Sequence, residues 1–319
     1  MSGWMHNLKK PFSDIIKAPG FIVPWLDRFY EPAEIRLLEK FVHPLPRDLF
    51  QQTPGVDPDK INRLFLRRVF IENENKDIEP AGFHARYDIW ALFEGFKDIP
   101  DKIRDALNRW ELDHYIRTHE KAVDRIRQTG SPDPFTPRYL LLDETFDVLD
   151  EAERIYLWPC NCRSMINACK KPVYTCLRFD NGQGQGFEIS KEKAKEIVLF
   201  SNKKGLMQSG ELWQDSRGRL KGAVCNCCPD CCFPHLLARE IKAEKIWPQS
   251  CHIADWKEEK CSYCGLCAKR CPFHAFHHDP SKENKKDRIR FSGTLCRGCG
   301  LCAVTCPAEA VRMKKIKEI

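Results

Sequence analysis

Cys261-Ser-Tyr-Cys264-Gly-Leu-Cys267-Ala-Lys-Arg-Cys271-Pro272 returns 35 residues later as Cys296-Arg-Gly-Cys299-Gly-Leu-Cys302-Ala-Val-Thr-Cys306-Pro307. The likeness runs past the cysteines: nine of fifteen positions are identical out to Ala275 and Ala310, which marks an internal duplication. Three thiols two residues apart lie on a tight loop, and its glycines let the backbone come close to whatever the loop wraps. The fourth cysteine of each run is expected to start a helix pointing away from that object and to reach its neighbour. Pro272 and Pro307 then turn the chain away.

Eighteen cysteines stand in a chain of 319 residues. The first thirty residues hold no apolar core followed by a small-residue cleavage site, so no secretory signal is expected. A mean hydropathy of −0.50, with 30% charged residues and no 18-residue apolar run, gives no spanning helix. A cytoplasmic location follows as an expectation, and there cysteines stay as thiols available to metal rather than pairing as disulfides. The net charge of +7 is only apparent basicity. Each cubane with its four thiolates carries roughly −2, so two bring the chain to about +3 and four to about −1. A nucleic-acid partner gains little support.

The duplicated run resembles the bacterial dicluster ferredoxin pattern. In that arrangement Cys261, Cys264, Cys267 and Cys306 hold one [4Fe–4S] cluster, and Cys296, Cys299, Cys302 and Cys271 hold the second. Zinc sites favour paired CxxC units across a longer spacer, a poorer fit to two runs of four ending in Cys-Pro. The repeat offers no substrate pocket and no general base, so its use is to pass single electrons. The charged insert Asn284 to Arg290 reads as a solvated hairpin, with docking as the sharper alternative.

Composition divides the rest into residues 1–128, a linker at 129–137, a cysteine-rich region at 138–249 and the ferredoxin region at 250–319. The first holds no cysteine and reads as mainly helical. Glu31-Pro32 and Asp57-Pro58 each open a helix, since proline's missing N–H costs nothing in a first turn. A third helix runs from near Pro100 to Gly130, Asn73 to Lys76 make a turn, and the aromatic stretch Phe83 to Phe96 offers a strand or two. That order suits a winged helix or, equally, a small helical packing domain. The fold class is therefore α+β, ending in a ferredoxin-type (βαβ)2 unit.

Between linker and repeat lie Cys160, Cys162, Cys169 and Cys176, then Cys225, Cys227, Cys228, Cys231 and Cys232. Nine thiols exceed any packing need. Neighbours such as Cys227 and Cys228 point in different directions, so they serve two centres or leave one thiol free. One or two further [4Fe–4S] clusters are expected; a zinc ribbon or a thiol-redox pair is the alternative. The motifs Pro159 to Arg163, Cys169 to Leu177, Asn181 to Gly184, Ile189 to Glu192, Gly205 to Gln208 and Cys225 to Pro229, followed by the repeat, resemble a group of uncharacterised 4Fe-4S dicluster-domain proteins of anaerobic bacteria. The resemblance covers roughly residues 138–319 and implies iron–sulfur electron transfer in anaerobic redox metabolism. Where that group often has His after Gly-Leu-Val, this chain has Met207, and no ligand role is read there. Cys251 matches no cysteine of the group and is a spare thiol.

Weaker signals read as ordinary structure. Gly182-Gln-Gly184-Gln-Gly186 lacks a preceding strand and a Walker lysine, so it is a turn before a helix capped by Ser190. His274, His277 and His278 are solvated or stacking side chains, and Lys314 to Lys317 a solvated end. The leading function is an electron-transfer component of a larger oxidoreductase or its dedicated redox partner, rather than a catalytic subunit. The alternatives are a reductase with a substrate-binding, three-cysteine middle cluster, and a redox-sensing regulator whose Asp57–Phe70 segment offers Lys60, Asn62, Arg63, Arg67 and Arg68 to DNA.

Overall fold

The computed structural model describes residues 11–41, 43–94, 99–132, 135–181 and 184–317. The chain divides into two units, Met1–Leu107 and Asn108–Ile319. In the first, α1 (Phe12–Ile15), a 3₁₀ helix (Gly20–Arg28), α2 (Pro32–Leu38), α3 (Arg47–Gln52) and α4 (Ile61–Leu66) precede a hairpin of β1 (Phe70–Glu72) and β2 (Ile78–Pro80). Then come α5 (Phe83–Phe93) and the start of α6 (Asp101–Thr129). Pro32 opens α2 inside a capping box in which the Glu31 N–H donates to Glu34 Oε2 at 2.8 Å. After Asp57, Pro58–Lys60 form a 3₁₀ turn that leads into α4.

The aromatic stretch is a helix, not strands. Phe83, Tyr87 and Trp90 recur at helical spacing and are buried together, so period outweighs the strand preference of the residue types. Phe96 lies outside the described residues. The strands flank the Asn73–Lys76 turn instead. The core of this unit is aromatic: Phe29 packs on Phe83 and Trp90, and Phe41 and Phe50 on Phe70.

Arg86 is fully buried within that core. Its Nε donates to the Phe29 carbonyl at 2.8 Å and its Nη1 to Glu94 Oε1 at 3.0 Å, while Arg67 binds Glu34 and the same Glu94. Removing one partner of a buried, hydrogen-bonded ion pair strands the others. Arg86→Leu should therefore cost the first unit about 3 kcal/mol, read as a lower denaturant midpoint for that unit.

The second unit is built on a six-stranded antiparallel sheet. Its strands are β3 (Arg138–Tyr139), β4 (Ile155–Pro159), β5 (Tyr174–Arg178), β6 (Phe187–Ile189), β7 (Met207–Gln214) and β8 (Leu220–Cys227), in the order β3-β7-β8-β5-β4-β6. Period-2 alternation gives the sheet two different faces. Ile155, Leu177, Leu212 and Val224 pack with Leu149 of α7 (Leu142–Glu151) and with Ala194 and Val198 of α9 (Lys191–Lys203). The intervening residues Cys176, Arg178, Ser209, Glu211, Trp213, Cys225 and Cys227 line a cavity instead. The short α8 (Asn161–Ile166) and α10 (Phe233–Glu240) complete it, α10 being held by the contact of Leu237 with Val123 and Ile126 of α6.

Ser190 caps α9 through a hydrogen bond from the Lys193 N–H. A strand does precede the glycine-rich loop: β5 ends at Arg178, its apolar alternation interrupted by Cys176, which hides it from a hydrophobic pattern. Gly182 and Gln183 lie outside the described residues.

The last part of the unit runs β9 (His252–Trp256), α11 (Leu266–Arg270), β10 (Phe276–His278), β11 (Ile289–Phe291), α12 (Leu301–Thr305) and β12 (Val311–Lys315). β9 pairs with β12 and β10 with β11, both antiparallel, and the charged insert forms the β10–β11 connection. Cys271 and Cys306 close α11 and α12 rather than starting helices. The reason is local: Gly265 and Gly300, both left-handed, start each helix inside the cysteine run, and the proline ends it. Among the described residues no helix is long and apolar enough to cross a membrane.

Candidate metal centres

The two repeats fold alike. Tyr263 and Gly298, equivalent in the duplication, both take left-handed backbone with φ of 58° and 73°. Gly298 is required there, because a Cβ would stand 2.2 Å from the His252 carbonyl oxygen. The Ala275 N–H donates to Cys271 Sγ and the Ala310 N–H to Cys306 Sγ, each at 3.2 Å, so the duplication includes donors to sulfur as well as the sulfurs.

The chain crosses between repeats. Cys267 lies among Cys261, Cys264 and Cys306, and burial pushes its thiol up to about 11 with those three charges adding. Cys299 lies beside Cys271 and Cys296, and burial pushes its thiol up to about 12. Cys271, Cys296, Cys299 and Cys302 line one cavity with Ala275, Gly298 and Met313. Four sulfurs around a space, with backbone donors aimed at them, are the donor set that a polycationic iron–sulfur core neutralises. The residues fit the group.

The nine middle cysteines fall into two sets, and each adjacent pair is split between them. Cys160, Cys162, Cys232, Cys227, Cys225 and Cys176 form a chain of thiol contacts, each with the next. Together they ring a cavity of about 330 Å³, and these six are the ring thiols. Cys160 and Cys162 come from the start of α8, Cys225 and Cys227 from β8, Cys176 from β5, and Cys232 from the residue before α10. The Cys227 thiol is drawn down to about 5, chiefly by the hydrogen bond from Cys225. The Phe233 N–H donates to Cys162 Sγ at 3.3 Å. Cys169, Cys228 and Cys231 make the second set, their sulfurs all within 4.8 Å of one another.

Arg163 ties the two sets together. Only 2% exposed, it donates through Nε to the Pro172 carbonyl and through Nη1 to the Asn226 carbonyl, both at 2.8 Å, with a third bond to Thr175 Oγ1. Its charge faces Cys160, Cys228 and Cys227. Cys251 joins neither set: it is buried, with its sulfur 4.0 Å from the Gln249 oxygens.

Several cavity and bridging groups were not among the sequence candidates. Glu211 faces the ring, and burial, with the Cys162 charge adding, lifts its carboxyl to about 7. Arg178 lies 4.0 Å over the Trp158 ring. Reading Met207–Gln214 with period 2 from Ser209 would have found Glu211 and Trp213. Tyr139 has no such signal. It is buried near Cys299, Cys232 and Cys227, packs on Phe273, and its hydroxyl lies 3.3 Å from His235 Nδ1. A second link is polar: Arg270 donates to the Asn202 carbonyl at 2.8 Å, and the Asn202, Gln208 and Asn226 side chains continue to the Thr175 carbonyl.

Residues 260–310 match the 4Fe-4S dicluster domain family. No curated protein and no solved structure matches the chain. A dicluster-type iron–sulfur domain is thus present near the carboxyl end, and with the candidate metal groups it is consistent with an iron–sulfur electron-transfer role.

Proposed function

We propose that this chain is an iron–sulfur electron carrier of anaerobic metabolism, working as a subunit or dedicated partner of a larger oxidoreductase. Cys261, Cys264, Cys267 and Cys306 would hold one [4Fe–4S] cluster, Cys271, Cys296, Cys299 and Cys302 a second, and the six-thiol cavity a further iron–sulfur centre. Such centres, when bound, take up and release single electrons. The protein's own part is to bury the thiols, aim the Ala275, Ala310 and Phe233 amides at sulfur, and exclude water.

The observation that carries this reading is Tyr139. This one buried aromatic side chain lies near Cys299 of the dicluster domain and near Cys232 and Cys227 of the ring, which supports an electron path between the two. Family membership among the uncharacterised dicluster-domain proteins of anaerobes, and a cytoplasmic setting where free thiols persist, belong to the same proposal. The regulator reading loses ground, because Lys60, Arg63 and Arg67 are engaged by Asp57, Glu31 and Glu34 rather than presented as a cationic face. The hairpin β1–β2 could serve as a wing only with such a face beside it.

One observation favours a reductase as second reading. Arg178, Glu211 and Trp213 project into the ring cavity, and about 330 Å³ falls within the size range of small-molecule sites. Anaerobic iron and acid-labile sulfide per chain, with EPR of the dithionite-reduced protein, separate the outcomes. About twelve iron atoms or more support the carrier with a filled ring. A ring spectrum altered by a small molecule supports the reductase, and colourless protein holding zinc alone overturns both.

A further inference from the structure

Cys169, Cys228 and Cys231 differ from the other candidate thiols in spacing. Among the described residues they are the only cysteine trio whose sulfurs all lie within 4.8 Å of each other. Neither the six ring thiols nor the eight of the duplicated repeat contain one. A tetrahedral ion with metal–sulfur bonds near 2.3 Å sets its sulfurs about 3.8 Å apart. A cubane places a layer of iron and sulfide between its ligands, so they spread around a space; the ring thiols touch in sequence along the cavity wall, but no three of them lie mutually within 4.8 Å. The trio's spacing matches that of thiolates around one ion.

We propose that Cys169, Cys228 and Cys231 bind a single thiophilic divalent cation, Zn²⁺ first, with the fourth coordination position left to an exogenous ligand such as water or a small thiolate. Cys228-Pro229-Asp230-Cys231 has the two-residue spacing of a zinc-binding turn. Cys169 arrives from the loop after α8, which doubles back through left-handed Asn167 and Lys170. Each sulfur has a backbone amide against it: that of Cys231 on Cys228, that of Lys171 on Cys169, and those of Ala168 and Cys169 on Cys231. Such donors orient thiolates and offset their charge. Three thiolates and a dication leave one negative charge, which the Arg163 side chain, bonded to Cys228, faces. No fourth Cys, His, Asp or Glu among the described residues joins the trio, so the open position is built in. The ion would pin the loop that also carries ring residues Cys227 and Cys232.

The test uses the full chain, purified anaerobically, with zinc and iron measured on the same sample. One zinc per chain is expected. Where isolation strips the ion, one equivalent of added Zn²⁺ or Co²⁺ should bind, the cobalt form showing thiolate-to-metal charge transfer. X-ray absorption at the zinc edge should give three sulfurs at about 2.3 Å and one further ligand. Cys169→Ser, on a half-buried loop, and Cys231→Ser should each abolish zinc or cobalt uptake with iron unchanged, and the iron also reports that the variants fold. A zinc-free protein that takes up neither ion, or variants that lose iron instead, overturns the assignment. Iron in the duplicated repeat is read separately, so failure here does not disturb the carrier reading.

Discussion

Replacing Cys306 with alanine should destroy the centre wrapped by the first repeat, although Cys306 belongs to the second. Cys306 lies with Cys261, Cys264 and Cys267, whereas Cys271 lies with Cys296, Cys299 and Cys302. A cubane deprived of one of four thiolates loses charge compensation as well as a bond, so the variant should lose about four iron atoms per chain. Pairing substitutions makes the expectation specific. Cys306→Ala with Cys264→Ala should cost no more iron than either alone, because both act on one centre. Cys306→Ala with Cys299→Ala should cost about twice as much. Iron and sulfide content check this, and the reverse pattern would mean that each repeat ligates only its own cluster.

The duplicated repeat was legible because its pattern is written in local spacing: four cysteines within eleven residues are read from the sequence alone, and only the placing of the fourth beside the other repeat needs the fold. What the spacing could not reveal is that the fourth cysteine ends a helix. Two left-handed glycines inside the run decide that, and a ligand pattern does not weigh backbone conformation. In the first unit, proline-led starts located α2 and the long α6, since capping is local too. Phe83–Phe93 misled because aromatic residues suit both strand and helix when buried; spacing, not type, separated them.

In the middle region the sequence announced thiols without their grouping. Adjacent cysteines pointing apart does predict that Cys227 and Cys228 separate, and they do. Which thiol joins which set depends on the sheet order, where β8 lies between β7 and β5 and so brings Cys225 beside Cys176. Pairings between strands about fifty residues apart leave no local trace. The same is true of Tyr139, whose importance rests on a two-residue edge strand packing against Phe273.

Arg163→Met should have the largest effect of any single change outside the thiols. The guanidinium is buried, and it bonds the carbonyls of two segments at once, Pro172 before β5 and Asn226 on β8. Methionine fills much of the volume but leaves both oxygens without their donor, each costing about 1–3 kcal/mol. Loss of the charge beside Cys160, Cys227 and Cys228 adds to that, so a total of about 4 kcal/mol is expected. For a unit of this size that is a fall of about 10 °C in melting temperature. Arg163→Lys separates the two contributions. Lysine restores a positive charge but cannot make a three-way planar fork, so it should recover little stability. It should, however, hold the reduction potential of the ring centre near the wild-type value, whereas methionine should shift it downward by removing a cation that favours the reduced state. Thermal unfolding and an anaerobic redox titration of both variants read the two effects independently. Equal potentials for lysine and methionine would show that Arg163 acts only as a brace.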